Sequence, residues 1–151
     1  MSLGMTASEI VPGAIPTDVA DTSALARVPH HDGVRARLLE PLIQGIVACC
    51  DVTRLEMGIT ARSAREHDAL GELLRAMPRV EIEPRDYERA WTVQRELAQA
   101  ARHRGVGLPD LLIAACAERL GLTVIHCDAD FDLIAEVTGQ PTVWAVARDL
   151  L

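Results

Sequence analysis

The sequence predicts an α/β fold in which helices flank a short, central parallel sheet. Short apolar runs alternate along the chain with segments of helical periodicity, an order that builds parallel sheets. The 151 residues suffice for one domain with a real core. Hydrophobic residues make up 49% of the chain and charged residues 25%, the balance of an ordinary globular protein. We therefore expect a single domain over residues 16–151.

A flexible leader is expected over residues 1–15, because this segment is small, polar and interrupted by Pro12. The first four residues, MSLG, are typical of a cloning remnant ahead of Met5. The domain itself then begins at Pro16.

The first half of the domain alternates strand and helix twice. A short strand is expected at 17–20, directly before Asp21. Asp32 is expected to cap a helix that ends at Gly45. The run IVACC at 46–50 predicts a buried strand that continues into a helix from about residue 52.

The second half repeats the alternation. The expected elements are a helical stripe at 69–77, a strand at 80–82, a long amphipathic helix at 85–104, a helix at 110–120, a strand at 122–127, a helix near 130–137 and a last strand at 142–146. Pro109 suits the first turn of the helix at 110–120, and Gly121 suits its end.

Charge and cysteine content narrow the function classes. The net charge of −7 opposes binding to another polyanion, so contact with a nucleic acid requires metal ions or clustered arginines. All 15 basic residues are arginines, which excludes any mechanism that needs a side-chain amine. The four cysteines show no C-x-x-C spacing and fit reduced, buried thiols. With no apolar run near the ~20 residues that span a bilayer, a cytoplasmic protein without membrane contact is expected.

Acidic residues follow the predicted strands. Asp21 follows the first strand, Glu56 lies in the helix after the second, and Asp128 and Asp130 follow the strand at 122–127. Asp110 lies in a first helical turn, where its carboxylate can project toward the same edge of the sheet. Each acid taken alone also fits a helix cap or a solvated position. Together, their oxygens are the ligand type that Mg²⁺ requires.

The motif order resembles that of the PIN-domain ribonucleases, and especially the VapC toxins of bacterial toxin–antitoxin pairs. The matching motifs are DTSAL at 21–25, Glu56, PDLLIAA at 109–115 and HCDADF at 126–131, and the likeness covers about residues 17–148. The resemblance implies a PIN-like three-layer α/β/α domain and a metal-dependent endoribonuclease that acts on an RNA substrate. It also implies a cognate antitoxin and a homodimer. The chain departs from these toxins in the length of its segment before the first acid.

The resemblance assigns roles by position. Four acids would form the catalytic quartet that holds Mg²⁺, or Mn²⁺ as the alternative ion: Asp21, Glu56, Asp110 and Asp128. Asp21, Asp110 and Asp128 are expected to bind the metal directly, with Glu56 acting on the metal or through a water. Asp130 matches a further metal-site acid, and Ser23, or Thr22, matches the supporting hydroxyl beside the first acid.

Several neighbours of the acids have weaker assignments. Arg27 and Arg54 lie close to quartet acids and are candidates for RNA contact, against the alternative of a solvated helix face. His126 is expected to support the site, since imidazole suits Mg²⁺ less well than oxygen does. Asp132 is left to solvent or to helix capping, and Trp144 to the core or an interface.

Two other functions stay open at this point. The first is a catalytically silent PIN-like domain that acts through protein contacts. The second is a phosphatase similar to the haloacid dehalogenases, in which Asp128 of the D-x-D motif would be a nucleophile. Those enzymes carry Thr or Val where this chain has Asp132, and they use a basic residue, most often lysine, that this chain can supply only as arginine.

Overall fold

A five-stranded parallel sheet forms the centre of the computed structural model, which describes residues 3–151. The strands are β1 (Asp18–Ala20), β2 (Val47–Cys50), β3 (Arg79–Val80), β4 (Thr123–His126) and β5 (Thr142–Trp144). They lie in the order β3-β2-β1-β4-β5, and all four neighbouring pairs are parallel. The predicted α/β class with a short parallel sheet is confirmed.

Helices cover both faces of this sheet. They are α1 (Thr22–Leu25), α2 (Asp32–Ile43), α3 (Asp51–Ile59), α4 (Ala64–Ala76), α5 (Pro84–Gln99), α6 (Leu108–Leu120) and α7 (Asp130–Thr138), with short 3-10 helices at Ala7–Glu9, His103–Gly105 and Arg148–Leu150. Within residues 3–151, no helix combines the length and apolar character needed to cross a bilayer.

Two hydrophobic cores lie on opposite sides of the strands, because successive residues of a strand point to opposite faces. In β2, Val47 and Cys49 join the core that contains α2 and α4. Ala48 and Cys50 join the core that contains α5, α6 and α7. The result is the expected arrangement of three layers, helices, sheet and helices.

The strand order creates one crevice at the carboxyl edge of the sheet. The chain moves from β1 outward to β2 and β3, then returns to the other side of β1 with β4. Ligand sites of open parallel sheets form where the order reverses in this way. The register pairs Ala20 with Ile125, so the residues that follow β1 and β4 leave the sheet side by side.

The segment expected to be a flexible leader packs on the domain instead. Leu3, Met5 and Ile10 are buried in the core that contains α2 and α4, while residues 1–2 lie outside the described part of the chain. The backbone N–H of Val11 donates to Ile43 O at 2.8 Å. The segment packs because its few apolar side chains cover an apolar helix face, and the sequence does not reveal that this face lies within reach.

Gly45 allows this segment to approach the end of α2. A Cβ atom at residue 45 would lie 2.4 Å from the backbone oxygen of Val11, and the glycine has a φ of +69°. A side chain at this position would therefore clash and also adopt a strained backbone conformation. The glycine that the sequence marks as a helix end is also a packing site for the N-terminal segment.

Several helix boundaries differ from those expected, including the start of α4 at Ala64 rather than at 69. His31, rather than Asp32, caps α2, since its Nδ1 atom accepts a hydrogen bond from Val34 N at 3.3 Å. The long helix α5 ends at Gln99 and not at 104. Ala101 takes a positive φ of 56°, and Arg102 N then donates to the carbonyl of Leu97, which ends the helix early.

A buried ion pair joins α5 to α6. Asp86 is 1% exposed and accepts hydrogen bonds from Arg119 Nε at 2.8 Å and Nη2 at 2.9 Å, and from Glu83 N at 2.7 Å. Burial by itself would raise the pKa of Asp86, but the bonds from Arg119 and the Glu83 backbone outweigh it and lower the pKa. The carboxylate is therefore charged and paired inside the protein.

Asp86→Ala is expected to lower the free energy of unfolding by about 3 kcal/mol, because Arg119 would lose its buried partner. This change corresponds to a fall in Tm of about 6–12 °C. Urea unfolding followed by circular dichroism measures it. The matched control is Glu118→Ala, which breaks an exposed pair with Arg89 between the same helices and should cost less than about 1 kcal/mol. Equal effects of the two variants would contradict the expectation.

Candidate metal centre

Asp21 lies at the end of β1 and is 3% exposed. Its backbone N–H donates to Ile125 O at 2.9 Å, and its carboxylate accepts a hydrogen bond from Ser23 N at 2.8 Å. Burial raises the pKa of Asp21, and the nearby charge of Asp128 adds to the effect. The first acid of the sequence motif is thus held rigidly at the crevice between β1 and β4.

Asp128 and Asp130 form a turn after β4. The backbone N–H of Asp130 donates to Asp128 Oδ1 at 2.9 Å, which closes the turn and begins α7. Asp130 Oδ2 accepts a hydrogen bond from Gly107 N at 3.3 Å. The second of these bonds ties the turn to the segment that leads into α6.

Asp110 lies in the first turn of α6, with Pro109 just before it. The helix runs against the direction of the strands, so its first turn lies at the carboxyl edge of the sheet. Asp110, Asp128 and Asp130 each offer a carboxylate oxygen, and these oxygens lie within 4.8 Å of one another. The structure therefore brings together acids that are separated by up to 20 positions in the sequence.

Burial and the closeness of these carboxylates raise the pKa of Asp110. Burial is the largest cause of its shift, followed by the charges of Asp21, Asp128 and Asp130, and together they raise the pKa to about 8. A cation among these oxygens would offset the repulsion. Because the three clustered donors are all carboxylates, they fit Mg²⁺ or Mn²⁺ better than a softer metal such as zinc.

Glu56 is not one of the three acids that cluster in the described part of the chain, but a hydrogen bond links it to α1. It is half-buried on α3, and its Oε2 atom accepts a hydrogen bond from Thr22 Oγ1 at 2.6 Å. Ser23 Oγ accepts a hydrogen bond from Cys127 N at 2.9 Å, between the end of β4 and Asp128. The short helix α1 did not stand out in the sequence, yet its two hydroxyls connect three of the predicted site segments.

Among the described residues, neither candidate arginine forms an ion pair with the clustered carboxylates. Arg27 Nη1 donates to Ser23 O at 2.7 Å, so its side chain folds back along α1. Arg54 lines a groove between α3 and α4, together with Asp51, His67 and Arg75. Their part in RNA binding stays a prediction.

Asp132 lies in the first turn of α7, and its carboxylate is bound to Trp144 rather than left to solvent or to a helix cap, contrary to expectation. It is half-buried, and its two carboxylate oxygens accept hydrogen bonds from Trp144 Nε1 at 3.1 and 3.2 Å. Trp144 also packs against the ring of His126, with 5.0 Å between ring centroids. This contact joins β5 to the acidic turn, and a sequence pattern could not reveal it because Asp132 and Trp144 are brought together only by the pairing of β4 with β5.

The raised pKa of Asp110 makes the stability of the metal-free protein depend on pH. The ordinary Asp value in the unfolded chain is 3.8, and the folded value is about 8. Between these values the folded state binds more protons than the unfolded state. The free energy of unfolding therefore decreases as pH rises from about 4 to about 8 and levels off above that.

Asp110→Asn is expected to abolish the decrease in the free energy of unfolding between about pH 4 and pH 8. At pH 8, in the presence of a chelator, the variant should be more stable than the wild type by about 1–2 kcal/mol, or about 3–6 °C in Tm. This stability difference is well below the free energy that the whole pKa shift of Asp110 would give, because Asp110 is only half-buried and solvent screens its charge. Scanning calorimetry at pH 5 and pH 8 measures the difference, which should shrink at pH 5. A variant less stable than the wild type at pH 8 would contradict the expectation.

Comparison with known proteins yields one family and several relatives. The sequence model of the PIN domain matches residues 19–137. Ribonuclease VapC21 of Mycobacterium tuberculosis is 45% identical over 129 residues, which cover 84% of this chain and 92% of the relative. Ribonuclease VapC51 of the same organism is 47% identical over 127 residues, which cover 83% and 90%.

Solved structures with a similar fold come from toxin–antitoxin complexes. The DNA-bound VapBC of Salmonella typhimurium superposes with a TM-score of 0.71 at 17% identity, covering 87% of this chain and 100% of that chain. VapBC-5 of Mycobacterium tuberculosis gives a TM-score of 0.55 at 26% identity, covering 85% and 98%.

Proposed function

Since this chain belongs to the PIN-domain family, and within it to the VapC ribonucleases, we propose that it is an Mg²⁺-dependent endoribonuclease toxin, with Mn²⁺ as the alternative ion. The observation that carries the metal dependence is the convergence of Asp110, Asp128 and Asp130, whose oxygens lie within 4.8 Å of one another. Membership in a ribonuclease family removes the phosphatase alternative. Catalytic silence becomes an outcome of the activity test below.

We assign the acids as follows. Asp110 and Asp128 hold the metal from α6 and from the turn after β4, Asp21 adds a ligand from the end of β1, and Asp130 supports the site. An ion held by these residues would lower the pKa of a coordinated water, polarise a phosphoryl oxygen of the RNA and offset part of the charge that repels the phosphodiester.

Glu56 is assigned to the attacking water. Its Oε2 atom accepts the Thr22 hydroxyl at 2.6 Å, which orients the carboxylate and leaves Oε1 to accept a hydrogen bond from water. Ser23 accepts the Cys127 N–H through its hydroxyl and donates its own backbone N–H to Asp21, so this one residue links the end of β4 to Asp21. Arg27 and Arg54 are our candidates for contact with the RNA phosphates, since a chain of net charge −7 needs local positive charge for such contact.

The ends of the cleaved RNA test this function. Attack by water predicts a 5′-phosphate on one product and a 3′-hydroxyl on the other. Incubation of the purified protein with total RNA and Mg²⁺, followed by 5′-end mapping with a ligase specific for 5′-phosphates, should recover discrete sites. A 5′-hydroxyl paired with a 2′,3′-cyclic phosphate would mean attack by the ribose 2′-hydroxyl, and would overturn the proposed chemistry. The Asp110→Asn protein, purified in the same way, should generate these products far more slowly.

The second proposed partner is a cognate antitoxin protein. The solved structures that resemble this chain come from toxin–antitoxin complexes. The net charge of −7 and the acidic cluster favour a basic partner segment at or near the site. We infer that one acidic region serves both metal binding and inhibition.

We also propose a homodimer in the cytoplasm. Tyr87, Trp91 and Leu108 are 56%, 70% and 69% exposed and line an apolar groove between α5 and α6. Large apolar side chains grouped in this way are typical of a protein contact, and we assign the groove to a second copy of the chain. The cytoplasmic location rests on the cysteine pattern of the sequence.

A further inference from the structure

His126 is the last residue of β4, is fully buried, and lies two residues before Asp128. Its Nδ1 atom accepts a hydrogen bond from the backbone N–H of Asp128 at 3.3 Å. A neutral imidazole that accepts at Nδ1 carries its proton on Nε2. The ring is therefore hydrogen-bonded to the backbone of Asp128 at the point where the chain leaves the sheet.

Neighbouring side chains fix the orientation of this ring. Phe131 and Trp144 lie on it, each with a centroid distance of 5.0 Å and with tilted ring planes. Trp144 is itself held by the two hydrogen bonds from its Nε1 atom to Asp132. Packing thus restricts the imidazole to an orientation in which Nδ1 reaches Asp128.

Stability alone does not explain a histidine at this position. Within the described part of the chain, the Nε2 atom of His126 is buried and has no hydrogen-bond partner. A buried polar atom without a partner is unfavourable, and an apolar side chain of similar size would avoid that cost. The feature that an apolar side chain could not supply is the acceptor at Nδ1.

We propose that His126 is a positioning residue for the metal centre. Its Nδ1 atom anchors the backbone of Asp128, and the Asp128–Asp130 turn then presents its carboxylates toward Asp110. Without this anchor the turn can rotate, and the acids no longer converge before the ion arrives. This inference rests on the proposed metal function. It assigns to His126 a role in ion affinity without direct contact with the ion.

Three substitutions separate this role from simple packing. His126→Asn places an acceptor oxygen near the position of Nδ1, His126→Gln places one near Nε2, and His126→Leu offers no acceptor. Mn²⁺ affinity, measured on the full chain by calorimetry and by electron paramagnetic resonance, is the readout, with Tm recorded for each protein. We expect the Gln and Leu variants to bind Mn²⁺ about tenfold more weakly or worse, and the Asn variant to stay within about threefold of the wild type.

The outcomes distinguish two failures. If the wild type binds Mn²⁺ and the Leu variant binds it equally well, the inference about His126 is wrong and the metal function stands. The inference is also wrong if the Asn and Gln variants lose affinity to the same extent, because a packing defect would not discriminate between acceptor positions. If the wild type binds no Mn²⁺, the proposed metal function fails, and the role of His126 fails with it. Should the Leu variant not fold, the Asn and Gln pair still decides.

Discussion

Asp128→Asn is expected to lower the rate of RNA cleavage by at least about 100-fold while the fold is retained. The substitution preserves side-chain size and the hydrogen bond from Asp130 N to Oδ1, but it removes one negative charge from the cluster. A neutral amide is a poorer ligand for Mg²⁺ than a carboxylate. Loss of the ion removes both the activated water and the polarised phosphoryl oxygen, each worth several kcal/mol in the transition state.

Asp110→Asn is expected to lower the rate of RNA cleavage by a similar factor. The effects of the two substitutions should not add in the double variant, because either change empties the same metal site. The matched control is Asp149→Asn, which neutralises an exposed acid of a C-terminal 3-10 helix. Single-turnover cleavage of a mapped RNA site measures the rates, and circular dichroism verifies the fold. Wild-type activity in either site variant would show that the acids have been assigned wrongly.

Removal of divalent ions is expected to lower cleavage by about 1000-fold, and Mg²⁺ or Mn²⁺ should restore it. The reason is electrostatic: without a cation, clustered carboxylates within 4.8 Å of one another face the phosphodiester, on a chain of net charge −7. NaCl at the same ionic strength is the control for screening, and it should not restore activity. Undiminished cleavage in excess chelator would exclude the metal mechanism.

Thermal unfolding gives a second measure of ion binding at this site. A ligand that binds only the folded state raises its stability in proportion to the logarithm of its concentration. Mg²⁺ should therefore raise the Tm of the wild type in a concentration-dependent manner and leave that of Asp128→Asn nearly unchanged. An equal rise in both proteins would point to ion binding elsewhere on the chain.

The predicted elements agree with the structure where the signal is local. Pro109 lies in the first turn of α6 and Gly121 follows its end, as expected, because a proline suits the first helical turn and Gly121 takes the left-handed conformation at a φ of +67°. Helix ends that no proline or glycine marks were less predictable. The early end of α5 depends on Ala101, whose positive φ no residue preference announces.

The N-terminal segment shows a second limit. Composition indicates a loose segment, yet Leu3, Met5 and Ile10 are buried against α2 and α4. Burial depends on whether an apolar face lies within reach, and that face is assembled from helices far along the chain. Asp132 is a similar case, since its partner Trp144 is delivered by a different strand.

The sequence by itself determined the α/β class and the acids that follow the strands, because periodicity, helix caps and strand ends are encoded within a few neighbouring residues. Only the tertiary structure decided which acids meet. The placement of β4 beside β1 sets Asp128 against Asp21, and the antiparallel course of α6 brings Asp110 to Asp130. These contacts join distant segments, and their cost in chain entropy and charge repulsion is met by the packing of the whole sheet and its helices. The anchoring of Asp128 by His126 belongs to the same class: the motif contains both residues, but their hydrogen bond exists only because β4 ends where it does.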